Sequence, residues 1–258
     1  DVYVQSGDIV KGGRQDRVLT TDFILPAHSG KLPISSFCVE QGRWTKRGAE
    51  SDAQFSASAN SVPSKDLKLA VKKAGAQSEV WASVAQARMA LSVPAAPPAP
   101  NRPATAAMGS AGLASSTSMQ LALESKPVVD ATEAYVKALS KIVDTRPDVA
   151  GYVYAINGEI NSAEVYASPE LFRQMWPKLL RASATEALAE RPKAKSKTPP
   201  TAADVKTALA DADRANSSSR QTAGRSTVTR KESAKVVVFE THDSKQGSNW
   251  IHRSYVVK

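Results

Sequence analysis

Apolar and polar positions alternate weakly along Val2–Val10, with a break at Gly7, and this spacing predicts a strand. Gly12-Gly13 follows as a turn or bulge, because consecutive glycines accept positive φ. Arg17–Leu25 and Leu32–Val39 are two further strand-like runs, separated by a turn at Pro26–Lys31. The first forty residues therefore read as a β meander. The period is then lost: Trp44–Pro63 is polar, irregular and rich in Ser and Ala.

Helical spacing takes over at Ser64. Its side chain offers a cap, and Leu67, Leu69 and Val71 form an apolar stripe that ends at Gly75. Ser78 caps a second predicted helix, Glu79–Leu91, with Val80, Trp81 and Val84 on one face. Five prolines between Pro94 and Pro103 make residues 93–118 a linker. Met119–Glu124 reads as a short helix, and Asp130 as the cap of another that runs to about Val143. Gly151–Tyr166 is a hairpin folded at Asn157-Gly158, the favoured type I′ pair. Ser168-Pro169-Glu170 is a complete helix start, followed by Phe172, Met175, Trp176 and Leu179 at helical spacing as core. Pro177 is expected to kink that helix near residue 173. Thr201–Ala215 reads as helix and Asn216–Ser226 as disordered; Lys235–Thr241 and Trp250–Lys258 form a terminal hairpin.

These elements predict an α+β protein: a β-rich N-terminal meander, central helices, and a C-terminal hairpin–helix–hairpin portion. Residues 1–92 and 119–258 are expected to share one core, with a basic insert at 191–235. The 258 residues, 41% of them hydrophobic, suffice for such a core. No run approaches the 18 apolar residues of a membrane span, so no membrane partner is expected.

Charge changes the picture only once it is located. The net charge is +9, and residues 191–235 alone carry +7 of it. That segment holds no Phe, Tyr or Trp, so it offers no platform on which bases could stack. It reads as a solvated linker, and a nucleic-acid partner is disfavoured. A single cysteine, Cys38, excludes an internal disulfide. This slightly favours a reducing, cytoplasmic compartment and leaves a secreted or periplasmic one open. The sequence sets no oligomeric state.

Candidate chemistry gathers at the rims of the meander. Gly12, Gly13, Arg14, Gln15 and Arg17 have the composition of an anion site, with exposed N–H groups and guanidinium forks. Asp16 lies among them as a candidate acid or base. No Walker or Gly-x-Gly-x-x-Gly pattern is present, and the bland alternative is a bulged turn whose Asp16 pairs with a nearby Arg. Glu40, Arg43 and Trp44 form a second cluster: carboxylate, fork and stacking ring for a polar, ring-bearing ligand, or a salt bridge beneath a tryptophan. Cys38 shares a strand face with Glu40, and a neighbouring carboxylate does not activate a thiol. His252, in the last strand, is the third catalytic candidate. Three scattered His and one Cys give no metal spacing, and no cofactor signature is present.

Residues 12–18, 32–44, 77–81, 153–160 and 168–181 together, in that order, resemble a bacterial family of unassigned activity. It is named for genomic association with ADP-ribosylglycohydrolase and rhodanese-phosphatase proteins. The resemblance implies further strands ahead of Val2, as if the chain were truncated there. It also implies a link to ADP-ribose or nucleotide-derived metabolism. The leading reading is thus a protein that binds or processes a small anionic, nucleotide-like ligand held by Arg14, Arg17 and Arg43. The rival is a non-enzymatic structural or interaction domain in which the same residues form a salt-bridge network.

Overall fold

The computed structural model describes residues 1–92, 117–191, 197–246 and 249–258. Most of the linker expected over 93–118 lies outside them. The N-terminal part holds β1 (Val2–Val4), β2 (Asp8–Gly12), β3 (Arg17–Leu19), β4 (Phe23–Leu25), β5 (Ser36–Cys38) and β6 (Phe55–Ser61). Helices α1 (Lys65–Lys72), α2 (Gln77–Ser92), α3 (Met119–Glu124) and α4 (Lys126–Leu139) follow. Then come β7 (Gly151–Ile156), β8 (Glu159–Tyr166), α5 (Pro169–Glu190), α6 (Ala202–Asp213), β9 (Ser217–Gln221), β10 (Ser226–Glu232), β11 (Val236–Asp243) and β12 (Trp250–Val257). The α+β class is as the pattern predicts.

Several elements start where local chemistry demands it. Ser64 Oγ accepts from the Leu67 N–H at the head of α1, and Ser168 Oγ from the Leu171 N–H at the head of α5. Thr201 and Asp204 form a full capping box on α6. The β7–β8 hairpin turns at Asn157 and Gly158, with φ of 56° and 82°, the left-handed values a type I′ turn needs. Helix α5 continues through Pro177 to Glu190. The lost backbone bond is offset by burial of Phe172, Trp176, Leu179 and Leu180 on both sides of it. Helix α4 starts at Lys126, ahead of the expected cap, because Pro127 presets the first turn; Asp130 sits inside it, paired with Lys126 at 2.9 Å.

The meander is more divided than its apolar pattern suggests. The run Arg17–Leu25 breaks at Thr20–Asp22, so β3 joins a four-stranded sheet, β5-β3-β2-β6, while β4 pairs with β1 and meets Gly224 through a single parallel bridge at Ile24. Strand β6 lies in the stretch expected to be irregular; most of its side chains are exposed or half-buried, and its pairing with β2 holds it. The C-terminal sheet has six antiparallel strands in the order β7-β8-β12-β11-β10-β9. Its last two strands fall in the basic insert, at residues expected to be linker and disorder. β9 is exposed along its whole length and is fixed by the ladder to β10 and by a 2.8 Å hydroxyl bond between Ser219 and Thr229.

Four groups of buried residues organise these layers. Ile9, Val18 and Val62 pack with Val71 of α1, Met119 of α3 and Ala189 of α5. Tyr166, Phe172, Trp176 and Leu179 form a second group against which Tyr3 packs. Val236, Val238 and Tyr255 lie under Ala212 of α6 on one face of the large sheet. The opposite face meets α1, where Leu69 packs on Val228, Val237 and Phe239. The N-terminal strands close onto this face: the Ile24 N–H donates to Ser226 Oγ at 2.9 Å, and Thr222 Oγ1 donates to the Asp22 carbonyl.

Candidate functional site

The two polar clusters of the meander do meet, and they meet as a closed network. Asp16 is fully buried. Its Oδ1 accepts from the Gly12 N–H at 3.2 Å, and Arg47 holds both carboxylate oxygens, at 2.9 and 3.3 Å. Arg43 binds Glu40 through Nε at 2.6 Å and the Thr45 carbonyl through Nη1, with Nη2 3.6 Å from Asp16. Arg47 also reaches Glu50 at 2.7 Å. The N–H groups expected to cradle an anion are occupied: that of Gly12 by Asp16, that of Gly13 by the Ser51 carbonyl. Gly12 is required because a Cβ there would lie 2.4 Å from the Gln54 carbonyl oxygen.

The remaining rim residues scatter. Arg14 and Trp44 are exposed, and Arg17 is half-buried on β3 outside the network. Gln15 is buried with neither amide atom hydrogen-bonded. Cys38 is buried, its backbone ladder completed by the Gln77 side chain. Arg47, which ties the cluster together, was not legible from the sequence; its only local signal is Glu50 three residues on.

The third candidate, His252, sits in a different centre. The ring is completely buried, with Nδ1 2.6 Å from Asp22 Oδ2 and Nε2 2.8 Å from Glu164 Oε2. Carboxylates only accept, so both ring nitrogens carry protons and the group is an imidazolium. Burial alone would lower its pKa; the charges and hydrogen bonds of Asp22 and Glu164 outweigh that and raise it. Burial acts to raise the Asp22 pKa, but the charge and hydrogen bond of His252 hold it well below the usual carboxylate range. Asp22 also accepts from Tyr3 Oη at 3.0 Å, Thr241 Oγ1 at 2.8 Å and the Ser6 N–H at 2.8 Å. Glu164 accepts from Ser254 Oγ at 3.1 Å, and Tyr166 stacks on the imidazole with centroids 4.5 Å apart. Lys68 pairs with buried Glu186 at 2.9 Å and donates to the Tyr154 hydroxyl at 2.6 Å. Asp22 and Glu164 were missed because neither carries a motif; 230 and 88 residues separate them from His252.

A cleft opens beside this centre, between α1, the N-terminal segment and the inner face of the large sheet. It is lined by Ser6, Thr21, Asp22, Lys72, Arg220 and Thr241, among others, with about 200 Å³ of space open to solvent. Its water-accessible volume is about 10 Å³, room for about one water-sized group. Lys72 is buried against the Phe239 ring, 5.5 Å from its centroid. Arg220 reaches in from edge strand β9 and donates to the Lys72 carbonyl at 3.2 Å. Burial and then the charge of Arg230 both lower its pKa, so positive charge is crowded here. The Ser6 hydroxyl is buried and has no hydrogen-bond partner. Among the described residues no group of three or more His, Cys, Asp or Glu is placed to hold a metal ion, and no helix is long and apolar enough to cross a membrane.

A family model described as the ARG and Rhodanese-Phosphatase-superfamily-associated Protein domain, ARPP-1, matches residues 1–256. No curated protein and no solved structure matches the chain.

Proposed function

For a chain that belongs to the ARPP-1 family, we propose binding of a small anionic, nucleotide-derived ligand of the ADP-ribose type in the cleft beside Asp22. One observation carries this reading: two cations, Lys72 and Arg220, share a cleft with a buried Ser6 hydroxyl that lacks a partner. A buried polar group without a partner costs about 1–3 kcal/mol, which a ligand oxygen accepting from it recovers. The crowding of Arg220 by Arg230 favours an anion for the same reason. The ligand class comes from the association in the family's name, read above as ADP-ribosylglycohydrolase.

The rim of the meander takes the other role weighed from the sequence, a salt-bridge network. Asp16 has its oxygens occupied by Arg47 and Gly12, and Arg43 is engaged by Glu40. This network fastens the β2–β3 turn to the segment after β5. The acid/base capacity proposed for His252 is likewise replaced by a structural one, since both of its nitrogens are engaged.

Thermal unfolding in the presence of ADP-ribose, NAD and inorganic phosphate tests the reading. At a hundredfold excess over its dissociation constant, a ligand stabilises by about 2.7 kcal/mol. The shift is expected to persist in Arg14→Ala and Trp44→Ala and to vanish in Arg220→Gln, an exposed edge-strand position that tolerates exchange. Loss of the shift in the first two variants and its survival in the third returns the ligand to the rim. No shift with any of the three compounds overturns the binding reading.

A further inference from the structure

We propose that the cations gathered around Glu232, where the C-terminal end of α1 meets the ends of β10 and β12, form a docking surface for a linear oligophosphate. The chemistry recognised is a string of phosphoryl groups, free or as the tail of a nucleotide. This surface does not depend on the cleft being a ligand site.

Alternation along the strands puts Arg220, Arg230 and Glu232 on the face of the large sheet that meets α1, because Arg220 lies opposite Val228 in the β9–β10 ladder. Three cations from three parts of the chain converge on the one Glu232 carboxylate. Lys73, the C-cap of α1, and Lys258, just after β12, both reach Oε1, at 3.4 and 2.8 Å. Their ammonium groups therefore lie within about 6.5 Å of each other. Arg230 takes the other oxygen, Oε2. Arg220 stands one strand further out, on β9, and donates to the Lys72 carbonyl at the end of α1.

One carboxylate does not balance these charges. Partial burial and then Arg230 and Lys258 lower the pKa of Lys73, with Glu79 acting the other way. Lys72, the residue before it, is buried and acts on Asp22 and Glu164 instead. The group thus sets four cations, Lys73, Arg220, Arg230 and Lys258, against two carboxylates, Glu232 and Glu79. The C-terminus of α1 adds only about half a negative charge. An anion from solvent relieves the surplus, and it has access: the side chains of Lys73, Arg230 and Lys258 are 34%, 36% and 32% exposed. Two features give its class. The cations are rooted along a row from β9 to the end of β12, three strand spacings or about 14 Å. Their heads draw together at Glu232, so a string of phosphoryl groups engages more of them than a single phosphate does. None of these side chains is aromatic, so a base gains no stacking surface here.

Calorimetric titration of the full chain at fixed, low ionic strength tests this with four probes: tripolyphosphate, orthophosphate, adenosine triphosphate and a single-stranded oligothymidylate. Tripolyphosphate is expected to bind roughly tenfold tighter than orthophosphate or more, and to weaken steeply as salt is added. Adenosine triphosphate is expected to match it to within about tenfold, since the base adds no contact. Lys258→Gln and Arg230→Gln are each expected to weaken tripolyphosphate, and Ser6→Ala, in the cleft, to leave it unchanged. Without ligand, Lys258→Gln is expected to melt no lower than the parent chain at low salt, because two cations still hold Glu232; a purely structural ion pair predicts a lower melting point. Equal binding of orthophosphate and tripolyphosphate, no binding of tripolyphosphate, or binding that both charge variants leave intact overturns the proposal. So does oligothymidylate binding tighter than tripolyphosphate, which would make the surface a nucleic-acid site. If Ser6→Ala abolishes tripolyphosphate binding and the charge variants do not, the anion sits in the cleft: this proposal falls and the cleft reading stands.

Discussion

His252 carries a proton on each ring nitrogen because each faces a carboxylate, and its removal strands two buried anions. Breaking a buried ion pair from one side costs about 3–5 kcal/mol. His252→Ala is therefore expected to lose an amount in that range in urea unfolding; a loss under about 1 kcal/mol would show that the pair is not buried as described. The same centre sets a pH dependence. The folded pKa of His252 is raised, so its stabilisation is complete below the unfolded value of about 6.5 and is lost as pH rises through the folded value. Asp22 and Glu164 have lowered pKa values, so their contribution is present above about pH 4 and is lost as pH falls through their folded values. Melting temperature is expected to peak between these limits, at about pH 5–6. In the His252→Ala variant the alkaline decline should be absent; a decline that persists unchanged belongs to another group.

At the scale of elements, what was legible was local. The helix starts at Ser64, Ser168 and Thr201 and the turn at Asn157-Gly158 are each determined within four residues, and the pattern placed them correctly. Strands β6 and β9 were not legible. A strand that exposes most of its side chains needs no apolar alternation, because main-chain bonds to a neighbour hold it. The candidate site divided in the same way. Asp16, Glu40 and Arg43 are close in space as their composition suggested, joined by Arg47 four residues after Arg43, whereas the partners of His252 come from distant sequence. The β7–β8 turn offers a test at this scale. Gly158 has φ of 82°, and a Cβ there would lie 2.4 Å from the Lys197 carbonyl oxygen. Gly158→Ala is expected to cost about 1–3 kcal/mol by chemical denaturation, and a neutral result would mean the turn relaxes away from Lys197.

For the whole molecule, the basic segment is the largest revision. Residues 202–232 are a helix and two strands of the main sheet, and Arg220 of that segment lines the cleft. Trypsin cuts readily at solvated Lys and Arg in linkers and slowly in paired strands. Limited digestion of the native chain is expected to spare Arg220 and Arg230, which lie in β9 and β10, while a urea-treated control is cleaved at both. Cleavage at equal rates in both samples would mean that the β9–β10 edge does not form.

The bond from Ile24 to Ser226, with its neighbour from Thr222 to Asp22, has a consequence in time as well as space. These contacts span about two hundred residues, and loops of that length close slowly and late. Chains are made from the N-terminus, so β1–β4 emerges long before the strands it must dock on. Until β10–β12 are synthesised, Asp22 has no imidazolium beside it and the cleft has no far wall. Of the groups named above, the first to be synthesised are thus among the last to find their partners, and a nascent chain stalled before Val236 exposes an unpaired carboxylate and two sheet edges.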